Sequence, residues 1–126
     1  MTDEWPAEGF QQEVASRDRL VMLYYADWCP FSRMLLPVFE AAEPEASVPM
    51  ARANLRHPQD PRWDDARVHV VPTVVYYEHG EELERAEARR GRGLDAGAFE
   101  EFMETVEDLQ EKWRVLRGRL RPDRFG

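Results

Sequence analysis

A single cysteine, Cys29, is the whole thiol content of this 126-residue chain. One thiol excludes an internal disulfide and any metal site built from several cysteines, and it fits a reducing compartment, so the expected location is cytoplasmic. Histidine is also scarce. His57, His69 and His79 lack metal-ligand spacing, so neither a metal nor a cofactor is expected. No long apolar run is present: the longest, Leu20 to Ala26, is too short to span a bilayer, and the first twenty residues carry Asp3, Glu4, Glu8 and Glu13. The chain is therefore expected to be soluble and unsecreted, without membrane insertion. Lysine is nearly missing, since arginine outnumbers it 16 to 1, which says nothing about chemistry.

What is present is enough for one domain with its own core, and too little for two. The net charge of −8 is unevenly spread. From Lys112 onward six cations face Asp123 alone, a local +5 that leaves −13 on the rest. An acidic body discourages contact with nucleic acid, whereas a cationic tail suits an acidic protein face, an anionic membrane surface or RNA. The simpler reading of the tail is a solvated helix end whose cations oppose the negative pole of the dipole. The chain divides into a body, residues 1–110, and a basic extension, residues 111–126.

Cys29 lies in Trp28-Cys29-Pro30-Phe31-Ser32, between the apolar run Leu20–Ala26 and a helical-looking stretch. A sulfur at a helix start faces unpaired backbone N–H groups and the positive end of the helix dipole, an environment in which a thiolate can act as nucleophile. The surrounding pattern reads as alternating elements. Pro6 to Arg17 predicts a first helix, with Phe10 and Val14 on one face. Leu20 to Ala26 suits a strand covered on both sides, as in a parallel sheet. Pro30 to Glu43 places Phe31, Met34, Leu35, Val38 and Phe39 on one helical stripe, kinked at Pro37. Met50 to Leu55 is a weaker strand, and Arg62 to Arg67 a short helix. Val70 to Tyr77 is the second strong strand, with Pro72 at its head, where a missing N–H is tolerated and a cis bond is possible. Glu82 to Ala88 returns as its hairpin partner, closed by Gly91 and Gly93. From Asp95 a long helix carries Phe99, Phe102, Met103, Val106, Leu109, Trp113, Leu116 and Leu120 at spacings of three and four. The sum is an α/β domain on one sheet of about four strands in mixed directions, flanked by helices.

These residues resemble the thioredoxin family. Trp28-Cys29-Pro30-Phe31-Ser32 is similar to its Trp-Cys-x-x-Cys site, and Val71-Pro72-Thr73, 43 residues beyond Cys29, to its cis-proline loop. Pro37 falls where that family kinks its active-site helix, and Gly80 at its hairpin turn. The resemblance covers roughly residues 7 to 109 and implies a thioredoxin-like fold. It implies that Pro72 is cis and packed against the Cys29 sulfur, and that Val71 offers its backbone to an extended substrate strand. Two departures stand out. Ser32 occupies the second cysteine's place and cannot form a disulfide, though its hydroxyl can donate to a thiolate. Leu23 stands where thioredoxins commonly carry a buried aspartate that serves the second cysteine. Both losses fall on the same half of the cycle.

The function that follows is thiol–disulfide exchange by one nucleophile: Cys29 and Ser32 as catalytic residues, with Trp28, Pro30, Phe31, Val71, Pro72 and Thr73 as substrate contacts. Mixed disulfides with protein partners are then resolved by an external thiol. Arg33 would support the thiolate and Asp27 oppose it. Phe31 could equally be core packing, and Tyr24, Tyr25, Tyr76 and Tyr77 are read mostly as core, each adjacent pair pointing to both faces of the sheet. A second reading is a redox-inactive binding module that uses the proline loop and the basic tail. A third is a monothiol glutaredoxin, from the likeness of Cys-Pro-Phe-Ser to Cys-Gly-Phe-Ser, although the chain after Pro72 lacks that family's further features. The apolar seam through Trp113, Leu116 and Leu120 is a candidate homodimer or partner surface, or folds back on its own domain.

Overall fold

A computed structural model describes residues 2–119 of the chain, with side chains as far as Lys112. A five-stranded mixed sheet runs in the order β1-β3-β2-β4-β5, from β1 (Asp3–Glu4), β2 (Arg19–Tyr25), β3 (Met50–Asn54), β4 (Thr73–Glu78) and β5 (Glu81–Glu87). The helices are α1 (Phe10–Ser16), α2 (Pro30–Ala42), α3 (Arg62–Asp65) and α4 (Ala96–Arg119). The expected sheet of about four strands gains a fifth, β1, which pairs parallel with β3 through Asp3↔Ala51 and Glu4↔Arg52. Two residues are too few to show an alternating pattern, so tertiary pairing alone reveals it. The first helix is shorter than its sequence pattern. The Trp5 N–H donates to the Arg52 carbonyl at 2.9 Å, so the chain stays tied to the sheet edge before it can turn into α1.

β2 lies at the centre, parallel to β3 and antiparallel to β4, which explains its unbroken apolar run. Its alternating side chains build two separate cores. Leu20, Met22 and Tyr24 face α1 and pack with Phe10, Val14, Val75 and Tyr77. Val21, Leu23 and Tyr25 face α2 and α4 and pack with Leu35, Phe39, Val74, Tyr76, Phe99, Phe102 and Val106. The tyrosine pairs therefore divide between the faces as expected, and all four rings are buried. Burial pushes the Tyr24 phenol well above its usual value, aided by its neighbour Tyr77, whose hydroxyl lies 2.7 Å from its own.

One buried cation fastens the lower layer. Arg62, at the start of α3, donates to both carboxylate oxygens of Asp60, to the Trp5 carbonyl at 2.8 Å and to the Asn54 carbonyl at 3.3 Å, and lies over the Phe10 ring. Every contact of this guanidinium joins a different stretch of chain, so it ties β1, β3 and the loop between β3 and α3 to α1. α4 is opened by Asp95, whose carboxylate accepts the Ala98 N–H at 2.8 Å. Its backbone is helical across the boundary drawn at residue 110. The seam residues Trp113 and Leu116 have no described side chains, and Leu120 with the rest of the tail lies outside the described residues.

Candidate active site around Cys29

The end of β2 delivers the chain into a tight turn in which the Cys29 N–H donates to the Ala26 carbonyl at 3.0 Å. Cys29 itself is extended, at φ −91 and ψ 122, and is the residue from which α2 begins. Pro30 takes the first helical position, where its lack of an N–H costs nothing and its fixed φ suits the helix. The Arg33 N–H closes the first turn onto the Cys29 carbonyl at 3.0 Å. Further along, Pro37 sits inside α2 and leaves the Arg33 carbonyl without its usual helical donor.

The sulfur meets the proline loop. The Val71–Pro72 peptide is cis, and the Cys29 thiol donates to the Val71 carbonyl at 3.8 Å. Cys29 and Val71 are 8% and 7% exposed, so both residues are largely covered where the helix start meets this loop. Among the described residues no hydrogen bond from the Val71 N–H is formed, which leaves a backbone donor in the proline loop. Ser32 is fully buried, and its hydroxyl oxygen accepts the Ala26 N–H at 3.2 Å. It braces the turn that carries Cys29. Leu23 is fully buried among apolar side chains on the α2 face of the sheet.

The other expected contacts separate into two groups. Trp28, which precedes Cys29 in the chain, is 56% exposed and is held by its indole N–H donating to the Arg56 carbonyl at 2.8 Å. Pro30 is exposed, and Phe31 is half-buried against the Cys29 core. Thr73 does not reach this surface: it is fully buried, its hydroxyl donates to the Val70 carbonyl at 2.7 Å, and it pairs with Tyr24 and Glu87 in the sheet. Its place at the start of β4, between two strands, decides this.

Asp27 is quenched rather than opposing the sulfur. The Arg56 Nε donates to its carboxylate at 2.9 Å and the Asn54 amide at 3.1 Å, and these bonds, Arg56 first, hold the carboxyl below its usual range. Neither Arg56 nor Asn54 was marked by the sequence, because the pairing spans more than 25 residues and carries no local pattern. Gly93 is a third such residue, expected from the sequence only to close a turn. It packs directly on Phe31, so that a Cβ added there would stand 2.6 Å from the ring. Among the described residues no group of three metal-ligating side chains occurs, and no helix is long and apolar enough to cross a membrane.

With this geometry in place, comparison with known proteins is informative. The family model described as Thioredoxin matches residues 2–108. A thioredoxin-like protein of Fusarium culmorum is 29% identical over 92 residues, which cover 70% of this chain and 72% of the relative. A thioredoxin of Chlamydia caviae is 32% identical over 81 residues, 63% of this chain and 76% of the relative. Among solved structures, oxidized mitochondrial thioredoxin 3 of Saccharomyces cerevisiae superposes with a TM-score of 0.64 at 19% identity, covering 82% of this chain and 94% of that one. A mutant thioredoxin of Halobacterium salinarum gives 0.62 at 25% identity, with 83% and 88% covered. The family match spans the sheet, the helix start at Cys29 and the loop at Pro72, and the chain belongs to the thioredoxin family.

Proposed function

We propose that this protein performs thiol–disulfide exchange through Cys29 alone, forming mixed disulfides that an external thiol resolves. Membership of the thioredoxin family supports a redox thiol–disulfide function in general. The single-thiol form of it rests on one observation: Cys29 stands at the start of α2 with its sulfur on the Val71 carbonyl, while the helix position three residues on holds a buried serine.

The Cys29 thiolate attacks one sulfur of a partner disulfide, the S–S bond breaks, and the other sulfur leaves as a thiolate that takes a proton from water. The partner is now joined to Cys29. Ser32 has no sulfur with which to displace it, so a small thiol attacks the Cys29 sulfur and frees the reduced partner. A second small thiol then releases Cys29 and leaves as the oxidised dimer. Val71 offers its N–H to an extended partner strand, and Trp28, Pro30 and Phe31 form the apolar surface on which that strand lies. We place the reaction in the cytoplasm, where small thiols are in excess.

Turnover tests this. Wild-type protein and C29S are given a mixed-disulfide protein substrate with excess small thiol, and intact mass and product are followed. The wild type is expected to show one adduct at Cys29 and repeated turnover. A wild type no faster than C29S would overturn the reading. It would favour instead a binding module with a passive thiol, for which the low exposure of Cys29 is the supporting observation.

A further inference from the structure

The turn after β5 carries Arg89, Arg90 and Arg92 within four residues, and it is built into the wall of the Cys29 site. On one side the Ala88 N–H donates to the Pro72 carbonyl at 3.0 Å. On the other, Gly93 is seated on the Phe31 ring. The turn is closed by reciprocal bonds of 2.9 Å between the Arg89 and Gly93 backbones, and by the Arg92 N–H on the Arg89 carbonyl at 3.0 Å. Arg92 also lines an apolar groove of about 220 Å³ with Phe31, Met34, Val38 and Leu94. Met34 in that groove is 71% exposed.

The three guanidinium groups are exposed and have no side-chain partner among the described residues. Other arginines of the chain do have one: Arg52 holds Glu40, Arg56 holds Asp27, Arg62 holds Asp60 and Arg85 holds Glu82. Three carboxylates near the turn are already engaged, Glu87 by Arg85 at 3.6 Å, Asp27 by Arg56, and Asp95 by the N-terminus of α4. In a chain of net charge −8, three cations left unpaired on the turn that touches Pro72 and Phe31 give this turn a sign opposite to that of the molecule.

We propose that the Arg89–Gly93 turn recognises acidic polypeptides whose disulfide is flanked by Asp or Glu, drawing their carboxylates to the rim while an apolar residue enters the groove. The recognition rests on the exchange reading only for its chemistry, in which Cys29 takes one sulfur of that disulfide and the other leaves as thiolate. The rim charges act mainly on encounter, so the preference is salt-dependent.

Binding is measured with full-length C29S, which cannot exchange, and two peptides with the same apolar centre and serine in place of cysteine, flanked by either glutamates or lysines. At low salt the acidic peptide is expected to bind at least about tenfold more tightly, and roughly 0.5 M NaCl is expected to abolish the difference. The preference is expected to vanish in R89S/R90S/R92S and to survive when lysines replace the three arginines. Equal binding of both peptides, or a preference that persists in the serine variant and resides in the basic tail, would overturn the proposal. Charge-selective binding by C29S with no exchange by the wild type would sink the exchange reading and leave this recognition standing. Exchange by the wild type without charge selectivity would do the reverse.

Discussion

Gly91 and Gly93 sit in the same turn with nearly the same backbone, at φ 76 and φ 72, but in different surroundings. A Cβ at Gly91 meets nothing within 4 Å, whereas one at Gly93 would lie 2.6, 2.8 and 2.9 Å from Phe31 Cδ1, Cγ and Cβ. Replacing either glycine with alanine forces an L residue into the left-handed region, at about 1–2 kcal/mol. Only G93A adds overpacking, at about 1–3 kcal/mol, because backbone and ring must part. With an unfolding entropy of about 2.1 cal/mol/K per residue, this chain is expected to lose roughly 4–8 °C of melting temperature in G91A and roughly 8–19 °C in G93A. Thermal melts followed by circular dichroism measure both. Phe31 is the group that collides, so F31A/G93A is expected to lose less than the sum of its two single variants. The exchange rate of G93A is expected to fall with its stability, since Phe31 packs beside Cys29. Equal melting shifts in G91A and G93A, or full additivity with F31A, would refute the claim that the turn is braced on the active-site helix.

Placing a second thiol in α2 by S32C is expected to let the protein release its own mixed disulfides. Loss of the bond from the Ala26 N–H would cost about 1 kcal/mol. Intact mass is expected to show the two sulfurs joined after oxidation, and continued dependence of release on external thiol would contradict the assignment of Ser32 as the missing step. R62M leaves the largely covered Asp60 carboxylate without its counter-charge and with only the residue 62 backbone N–H as donor, so urea unfolding at neutral pH is expected to show a loss of about 1–3 kcal/mol. A near-neutral effect would show that Arg62 is not a fastening point. Arg62 holds the Asp60 carboxyl below its usual range, chiefly by hydrogen bonding. A carboxyl lowered in the folded state stabilises above its unfolded value, near 3.9, and that contribution is lost as pH falls below it. The wild type is therefore expected to lose more stability than D60N between neutral pH and about pH 3, and parallel pH curves would remove the pair from the account. Y77F deprives the buried Tyr24 hydroxyl of its partner and is expected to cost about 1–3 kcal/mol in the same unfolding assay.

Much of this architecture is legible along the chain because its signals are local. The seven-residue run of β2 reads as a doubly covered strand, and the structure gives it a packed core on each face. The stripe through Leu35 and Phe39 is the buried face of α2. Cys29 before Pro30, and Pro72 at the head of β4, likewise fall where element order places them. Thr73 illustrates the opposite: its neighbours in sequence are proposed site residues, yet its place between two strands turns it inward.

Sequence alone determined the thiol inventory, and with it the chemistry available: one sulfur, no internal disulfide, and serine where a second sulfur would stand. It also determined the order of the elements from α1 onward, because hydrophobic period is written within ten or twenty residues. Only the tertiary structure decided that Arg56 cancels Asp27, that Arg62 is buried with its donors turned toward Asp60, Trp5 and Asn54, and that the turn carrying three unpaired arginines sits on Phe31 through Gly93. The reason is physical. These are contacts between groups tens of residues apart, whose energies depend on distance and desolvation, and neither exists until the chain has closed.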